Sequence, residues 1–296
     1  MLVVSLPAAV QAEHHLIGGK AMNLARMQQQ GLPVPDGFVV TAHAFHRFLQ
    51  ENGIQHSWSD LQIRSAIIDG HMPETLISEL FQHYASLQAT SRFAVAVRSS
   101  SSFEDMASAS FAGQYETRLN VNSFFQLVQS IKVCWASFFS PAVRQYAQRQ
   151  AISMDSPAMA VLVQIMVRAD VSGVLFSSNP VTGNPDEIVI NASYGLGEPV
   201  VSGEVTPDMY IVGRKNGSIS RHLGEKQVKY VTGGWRTLCL PVPPEEREVY
   251  CLTDEMIQHL VQLAKMVESC VHYDADLEFA FEQGRLYLLQ VRPITA

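Results

Sequence analysis

The sequence is poor in cysteine, tryptophan and charge. Of its 296 residues four are cysteines, three are tryptophans and 17% are charged. The cysteines, Cys134, Cys239, Cys251 and Cys270, are scattered without the spacing of a metal site. In a chain of this length they are expected to be reduced thiols, which favours a cytoplasmic protein over a secreted disulfide-bonded one.

Basic residues are scarce as well. The chain has 21 Lys and Arg against 28 Asp and Glu, a formal net charge of −7. Nucleic-acid-binding proteins cluster Lys and Arg on one face, and no such cluster is visible. No uncharged apolar run reaches membrane-spanning length, and residues 1–10 lack the basic start of a signal peptide, so they predict an opening strand. Nucleic acid and membrane are therefore not expected partners.

The apolar residues that are present predict a two-lobed α+β fold. They make up 47% of the chain, enough for a sizeable core. Helical patterns dominate until a break at residues 152–157, after which short strands alternate with Gly, Pro, Asn and Asp turns. One helix, residues 254–271 with Thr253 as N-cap, interrupts this strand-rich half. The predicted lobes are residues 1–157 and 158–296.

Three segments of the first lobe suit a phosphate ligand. Gly18-Gly19-Lys20 precedes a short predicted helix, where small residues, a partly positive helix end and a lysine favour an anion. Arg98 leaves a predicted buried strand and leads into four serines. Residues 110–114 predict a flap in which Gly113 allows close backbone approach. The alternatives are a plain turn, a surface arginine with a flexible loop, and an ordinary β-turn.

The end of the sequence predicts a β-hairpin that can hold Mg²⁺. Residues 276–282 and 286–292 alternate as two strands. A three-residue loop, 283–285, is predicted because it places Glu278 opposite Gln290 with Arg292 on the same face, whereas a two-residue turn at 283–284 puts Glu278 and Gln290 on opposite faces. Carboxylate and amide oxygens suit Mg²⁺ shared with nucleotide phosphates. A solvated face with a surface ion pair is the alternative. The buried face is expected to hold Leu277, Phe279, Phe281, Tyr287, Leu289 and Val291.

Eight motifs carry a family resemblance over nearly the whole chain. In order they are Gly-Gly-Lys, LPVPDGF, AVRSSSSFED, SFAGQYET, VLVQIMV, SGVLFSSNPVTG, GLGEPVVSGEVTPD and LEFAFEQGRLYLLQVRP. Each motif is weak alone, and their number and order make the match specific. The sequence resembles the nucleotide-binding domain of the phosphoenolpyruvate synthase, pyruvate phosphate dikinase and rifampin phosphotransferase family.

The resemblance implies an ATP-grasp-like fold with ATP between its lobes. Lys20 and Arg98 match positions that hold the phosphates, and the loop through Gly113 matches their cover. Thr117 matches a nucleotide-contacting position. Residues 164–167, which include Gln164 and Met166, match the hinge that reads adenine largely by backbone groups.

The resemblance also implies the magnesium ligands and the catalytic charges. Glu278 and Gln290 match the Mg²⁺ ligands, and Arg292 matches the contact to the terminal phosphate. Lys20, Arg98 and Arg292 are then the expected catalytic residues, since such a module works by positioning and electrostatics rather than by covalent chemistry.

Family members transfer a phosphoryl or pyrophosphoryl group from ATP to a histidine on a mobile carrier domain, which passes phosphate to pyruvate, an antibiotic or another acceptor. The nearest match to a carrier segment, Thr41-Ala42-His43-Ala44, follows LPVPDGFVV, where relatives start a helix, so His43 is interpreted as a helix-surface residue. The sequence ends four residues after Arg292. An excised domain or a stand-alone half with a partner is therefore expected.

Two other functions are compatible with the sequence. The module can serve a biosynthetic ligase or condensing enzyme of the prodigiosin type, which activates a carbonyl or carboxyl group by phosphorylation. It can also be a nucleotide-sensing module without turnover. Fold-level similarity does not choose among acceptors.

Overall fold

Two antiparallel sheets organise the chain, which we analysed as a computed structural model. The structure describes residues 1–90, 94–101, 105–106, 109–110, 115–149, 158–234 and 236–294. Helices and strands are both abundant in these ranges. The α+β class predicted from the sequence is thus confirmed.

The elements of the first part of the chain are, in order, β1 (Val3–Ser5), α1 (Leu6–Ala9), α2 (His14–Gln29), β2 (Gly37–Val40), α3 (Ala42–Glu51), α4 (Asp60–Asp69), α5 (Glu74–Thr90), β3 (Val95–Ser101), β4 (Asp105–Met106), β5 (Ala109–Ser110), β6 (Thr117–Val121), α6 (Phe124–Ser137), α7 (Pro141–Arg149) and β7 (Met159–Ile165). Those of the second part are β8 (Val171–Phe176), β9 (Glu187–Tyr194), α8 (Glu198–Val201), β10 (Asp208–Gly213), β11 (Ile219–His222), β12 (Val228–Gly233), β13 (Arg236–Pro241), α9 (Pro244–Arg247), α10 (Asp254–Val271), β14 (Ala275–Glu282) and β15 (Arg285–Pro293).

The chain forms two compact units. The first comprises Met1–Ala25 and Asp36–Met166, and the second comprises Arg26–Pro35 and Val167–Ala296. The predicted lobes, 1–157 and 158–296, place β7 in the second lobe. In the structure β7 belongs to the first unit, because it hydrogen-bonds with β2 and β3. The predicted break at residues 152–157 lies outside the described residues. The chain passes from the first unit to the second after Met166, inside the segment 164–167 predicted as the hinge.

The first unit is built on a five-stranded sheet with the order β1-β2-β7-β3-β6. One face packs into the core, where Phe38, Val163 and Val97 lie side by side on three neighbouring strands. Helix side chains complete this core, and the rings of Phe45 and Trp135 stack with centroids 5.2 Å apart. The opposite face carries Arg98, Thr117 and Gln164, and we call it the Arg98 face.

The second unit is built on a six-stranded sheet with the order β11-β10-β9-β8-β14-β15. One face is apolar, with Leu277, Leu175, Ile190 and Tyr210 aligned across four strands and fully buried. Helix α10 packs against β14, and the Leu252 N–H, just before α10, donates to the Tyr210 hydroxyl at 3.1 Å. The opposite face carries Asp276, Glu278, Gln290 and Arg292, and we call it the Glu278 face.

Local structure departs from the sequence predictions at the N-terminus and after β10. Only Val3–Ser5 of the expected opening strand is extended, because helix α1 begins at Leu6. Pro7 lies in the first turn of α1, where its missing N–H is tolerated. The hairpin of β12 and β13 was not predicted, since its residues are half-buried or exposed and lack a clear alternation. Helix 254–271 is confirmed, and the Thr253 hydroxyl accepts the Met256 N–H at 3.2 Å.

None of the helices in the described ranges has the length and apolar character needed to cross a membrane.

Candidate functional site

The Gly-Gly-Lys turn of the first unit is built around Gly18. Its φ of +74° breaks α2, so that a second helical segment starts at Gly19. A Cβ at Gly18 would lie 2.1 Å from the Ser100 carbonyl oxygen, so only glycine fits here. The Ser100 hydroxyl accepts the Ala21 N–H at 3.0 Å and donates to the Ile17 carbonyl at 2.8 Å. The serine run after Arg98 thus caps the helix that presents Lys20.

Lys20 is buried and oriented by the same strand. Lys20 is only 4% exposed, and its Nζ donates to the Ser99 carbonyl at 2.9 Å. Burial of an ammonium group requires hydrogen-bond partners. The structure therefore brings Lys20 to β3, the strand that carries Arg98. A shared role of the two groups in phosphate binding stays a prediction.

Arg98, Thr117 and Gln164 share the Arg98 face. Arg98 on β3 lies directly opposite Thr117 on β6 and opposite Leu162 on β7. Gln164 pairs with Ala96, two residues from Arg98 on the same face. Arg98 is half-buried, Thr117 is exposed and Gln164 is buried at 3% exposure. Directly paired residues on neighbouring strands have close side chains, so Arg98 and Thr117 can contact one ligand.

The predicted hinge segment uses its N–H groups within the first unit. The Ile165 N–H donates to Asp36 at 2.9 Å and the Met166 N–H donates to Ala94 at 2.9 Å. Met166 is 6% exposed, and its Sδ accepts the Asn120 N–H at 2.9 Å. These N–H groups are therefore engaged, and adenine recognition at this segment stays a prediction. Gly113, the predicted phosphate cover, lies outside the described residues.

The C-terminal hairpin pairs Glu278 with Gln290, but by a route that differs from the prediction. The turn has two residues, Gln283 and Gly284, both with positive φ, so the predicted three-residue loop is wrong. The register shifts by one residue between Glu278 and Phe279, where Leu289 is the extra residue of a β-bulge. A two-residue turn plus one bulge restores the pairing that a two-residue turn alone prevents.

The same bulge changes which residues lie on the apolar side of the hairpin. Phe279 pairs with Leu288, which is fully buried, and not with Leu289. Tyr287 and Leu289 are only half-buried, so the expectation that they line the buried face is wrong. Tyr287 pairs with Ala280, on the Glu278 face.

Asp276 is a member of the Glu278 face that the sequence prediction missed. It pairs with Arg292, whose Nε donates to Asp276 Oδ2 at 2.7 Å. Burial raises the pKa of Asp276, while Arg292 lowers it and Glu278 raises it further. The missed signal was the spacing itself, since Asp276 and Glu278 are two residues apart on one strand and must share a face.

The donor set of this face fits a hard cation. Asp276 Oδ1 is buried, and no group in the described part of the chain donates a hydrogen bond to it. With the Glu278 carboxylate and the Gln290 amide it provides oxygen ligands of the type that Mg²⁺ takes alongside phosphates and water. No group of three or more His, Cys, Asp or Glu among the described residues can hold a metal ion. Mg²⁺ commonly takes one or two protein carboxylates and completes its coordination with phosphate oxygens and water.

Comparison with known proteins decides the family. Residues 14–296 match the family model described as pyruvate phosphate dikinase, AMP/ATP-binding domain. The chain belongs to this family. The resemblance drawn from the eight motifs is confirmed, and the candidate site lies in a dikinase-type AMP/ATP-binding domain.

Relatives of this dikinase-type domain are longer transferases. The chain is 40% identical to the uncharacterized phosphotransferase YvkC of Bacillus subtilis, covering 96% of this chain and 34% of that protein. It is 36% identical to the prodigiosin synthesizing transferase PigC of Serratia marcescens, covering 99% and 33%. It is 34% identical to the phosphoenolpyruvate synthase of Pyrococcus furiosus, covering 95% and 42%. The chain thus spans about a third to two fifths of these relatives.

Solved structures with a similar backbone are more distant in sequence. The D-alanine-D-alanine ligase of Helicobacter pylori has a TM-score of 0.42 and 9% identity, covering 97% of this chain and 55% of that one. Cdc123 of Schizosaccharomyces pombe has a TM-score of 0.44 and 9% identity, covering 99% and 87%.

Proposed function

We propose that this domain binds MgATP and transfers a phosphoryl or pyrophosphoryl group to a histidine on a carrier domain. The observation that carries the proposal is the Glu278 face, where two carboxylates, an amide and a guanidinium converge in an AMP/ATP-binding domain. Asp276 Oδ1 supports it as a buried oxygen without a donor in the described part of the chain. Mg²⁺, when bound, neutralises charge on the phosphates.

The chain's own residues orient the phosphates and stabilise their charge. Glu278 and Gln290 provide oxygens for the cation, and Arg292, held by Asp276, offers a fixed guanidinium to the terminal phosphate. Lys20 and Arg98 stay proposed phosphate-binding residues, and the hydrogen bond from Lys20 Nζ to the Ser99 carbonyl brings Lys20 to the strand that carries Arg98. Catalysis then consists of positioning and electrostatic stabilisation, with no covalent step on this domain.

The acceptor histidine belongs to a carrier domain, either in the same longer protein or in a partner. The support is the length of the relatives, of which this chain matches 34% in YvkC and 42% in the Pyrococcus furiosus enzyme. Pyruvate, an antibiotic or another small molecule is the final acceptor of phosphate. The cytoplasm, which supplies ATP, is the proposed setting.

A second candidate is the activating module of a prodigiosin-type condensing enzyme. It is favoured by the 36% identity to PigC over 99% of the chain. Both candidates need the same MgATP site and differ in the group that receives phosphate. Formation of a condensed product from supplied precursors distinguishes the second from the first.

Calorimetric titration of ATP with Mg²⁺ into the chain tests the shared step. The carrier domain is then added, and AMP and ADP are separated and quantified. AMP supports pyrophosphoryl transfer, and ADP supports simple phosphoryl transfer. Binding without either product, with the carrier present, supports a nucleotide-sensing module, and absence of binding overturns the proposal.

A further inference from the structure

Strand β9 adds polar side chains to the Glu278 face, two strands away from Glu278. Val174 on β8 pairs with Glu278 on one side and with Asn191 on the other. Gln290, Glu278, Val174 and Asn191 therefore form one row across four strands. Directly paired residues point to the same face of a sheet, so Asn191 lies on the face of the proposed magnesium ligands.

The neighbours of Asn191 define where this face is covered. Ser193, on the same strand and face, is 2% exposed, whereas Asn191 is half-buried. Ser193 pairs with Ser172, and a Cβ at Gly197 would approach the Ser172 hydroxyl to 3.4 Å. The turn into α8 thus covers the Ser172 end of the face. Asn191 lies just beyond this cover, in the same row as Glu278.

An asparagine is unexpected in the middle of a six-stranded sheet. Asn is depleted in strands because its amide neither packs well nor joins the ladder. Within the part of the chain that the structure describes, the Asn191 side chain makes no hydrogen bond or ring contact. Its amide has two N–H donors and a carbonyl acceptor, all held on a rigid strand. A ligand on this face accounts for such a group.

The spacing of the strands determines which part of the ligand Asn191 can reach. Neighbouring strands lie about 4.8 Å apart, so the backbones at Asn191 and Glu278 are separated by about 9.6 Å. Glu278 and Gln290 are on adjacent strands and can share one cation, whereas Asn191 is one strand further away. A phosphate chain that leaves the cation and runs over Val174 brings its oxygens to Asn191.

We propose that the Asn191 carboxamide donates a hydrogen bond to the phosphate chain of the nucleotide. The inference rests on the proposed function, because it takes MgATP at Glu278 and Gln290 as given. Asn191 is then a binding and positioning residue on β9, in addition to the residues of the hairpin. It extends the phosphate site across the sheet.

Titration calorimetry on Asn191→Ala and Asn191→Asp tests the inference. We expect Asn191→Ala to raise the Kd for MgATP about tenfold, the effect of losing one hydrogen bond to a charged group. Asn191→Asp is expected to weaken binding at least as much, since a carboxylate repels phosphate. Adenosine, measured by competition, should bind both variants as it binds the parent. The control is Asn216→Ala, in an exposed turn of the same unit, with parent affinity.

The outcomes separate this inference from the proposed function. If the parent chain does not bind MgATP, the proposed function fails. If the parent binds and both Asn191 variants bind MgATP equally well, only the contact of Asn191 is overturned. Equal losses for ATP and adenosine also overturn it, because they indicate a structural role, and melting temperatures measured in parallel identify variants that fail to fold.

Discussion

Glu278 and Gln290 lie directly opposite each other because one extra residue, Leu289, bulges out of β15. Without the bulge, the two-residue turn would pair Glu278 with the residue before Gln290, and their side chains would lie on opposite faces. The magnesium ligands of the proposed site are therefore aligned by a backbone irregularity. Because of the bulge, Leu288 rather than Leu289 pairs with Phe279 on the apolar face.

Deleting one of the two adjacent leucines tests this alignment. Leu288 and Leu289 are identical, so either deletion gives the same chain, with a regular ladder in which Glu278 still faces Gln290. We expect this variant to bind MgATP within about threefold of the parent, that is, within about 0.7 kcal/mol. Deleting both leucines places Gln290 opposite Phe279, on the apolar face, and should abolish binding. Equal affinities of the two variants would contradict the register argument.

Arg98→Ala and Glu278→Ala should reduce nucleotide turnover far more than stability. Both residues are half-buried on sheet faces, so truncation removes charge from the site without opening a core cavity. Removing one charged contact to the reacting phosphates is expected to lower kcat by roughly 100-fold. Turnover with the carrier domain present and the melting temperature are measured side by side, with Glu282→Gln at the hairpin turn as control. Unchanged turnover in both variants would refute the site.

Asp276→Asn should lower turnover while the folded protein tolerates the substitution. Because burial raises the pKa of Asp276, the folded protein disfavours its charged form, and a neutral amide is tolerated there. Arg292 loses the carboxylate that holds it at 2.7 Å, so turnover should fall at least tenfold. The control is Asp254→Asn, which removes an Arg–Asp pair at an exposed position of the same unit. Parent turnover in Asp276→Asn would show that the pair does not orient Arg292.

Gly18→Ala and Gly31→Ala compare two glycines that share a positive φ. Gly31 has φ +78° and open space around its missing Cβ, so alanine there costs about 1 kcal/mol for the backbone conformation alone. At Gly18 the added methyl overlaps the Ser100 carbonyl, which adds about 1–3 kcal/mol. Urea unfolding measures both. ATP affinity should fall only for Gly18→Ala, because Lys20 follows this turn; equal effects would show that the overlap is relieved.

The pH dependence of stability is expected to involve His83. Burial lowers the pKa of His83 below 6.5, an effect partly offset by Glu79. The unfolded chain then binds more protons between the two pKa values, so stability is lost as the pH falls below about 6.5. His83→Gln should flatten the decline of melting temperature between about pH 7 and pH 5. The exposed His43→Gln is the control, and identical slopes for His83→Gln and the parent would contradict the assignment.

Motifs with fixed local geometry were predicted well from the sequence. Thr253 caps α10 as expected, and the helix has the predicted limits, because capping and a 3.6-residue apolar period act within a few residues. The pairing of Glu278 with Gln290 was also correct. Its explanation was wrong, because a turn and a bulge elsewhere in the hairpin compensate each other. Asp276 was missed, although its two-residue spacing from Glu278 on one strand places both side chains on the same face.

The sequence alone determined the α+β class, the family match, the positions of the charged candidates and the turn at Gly18-Gly19. The class follows from composition and periodicity, and the family match follows from the number and order of the eight motifs. Tertiary structure decided which candidates share a face. It also placed Ser100 against Gly18, put β7 in the first unit and brought Asn191 into the row of Glu278. Such relationships depend on strand order and register, which join residues far apart in the chain and which no short stretch of sequence encodes.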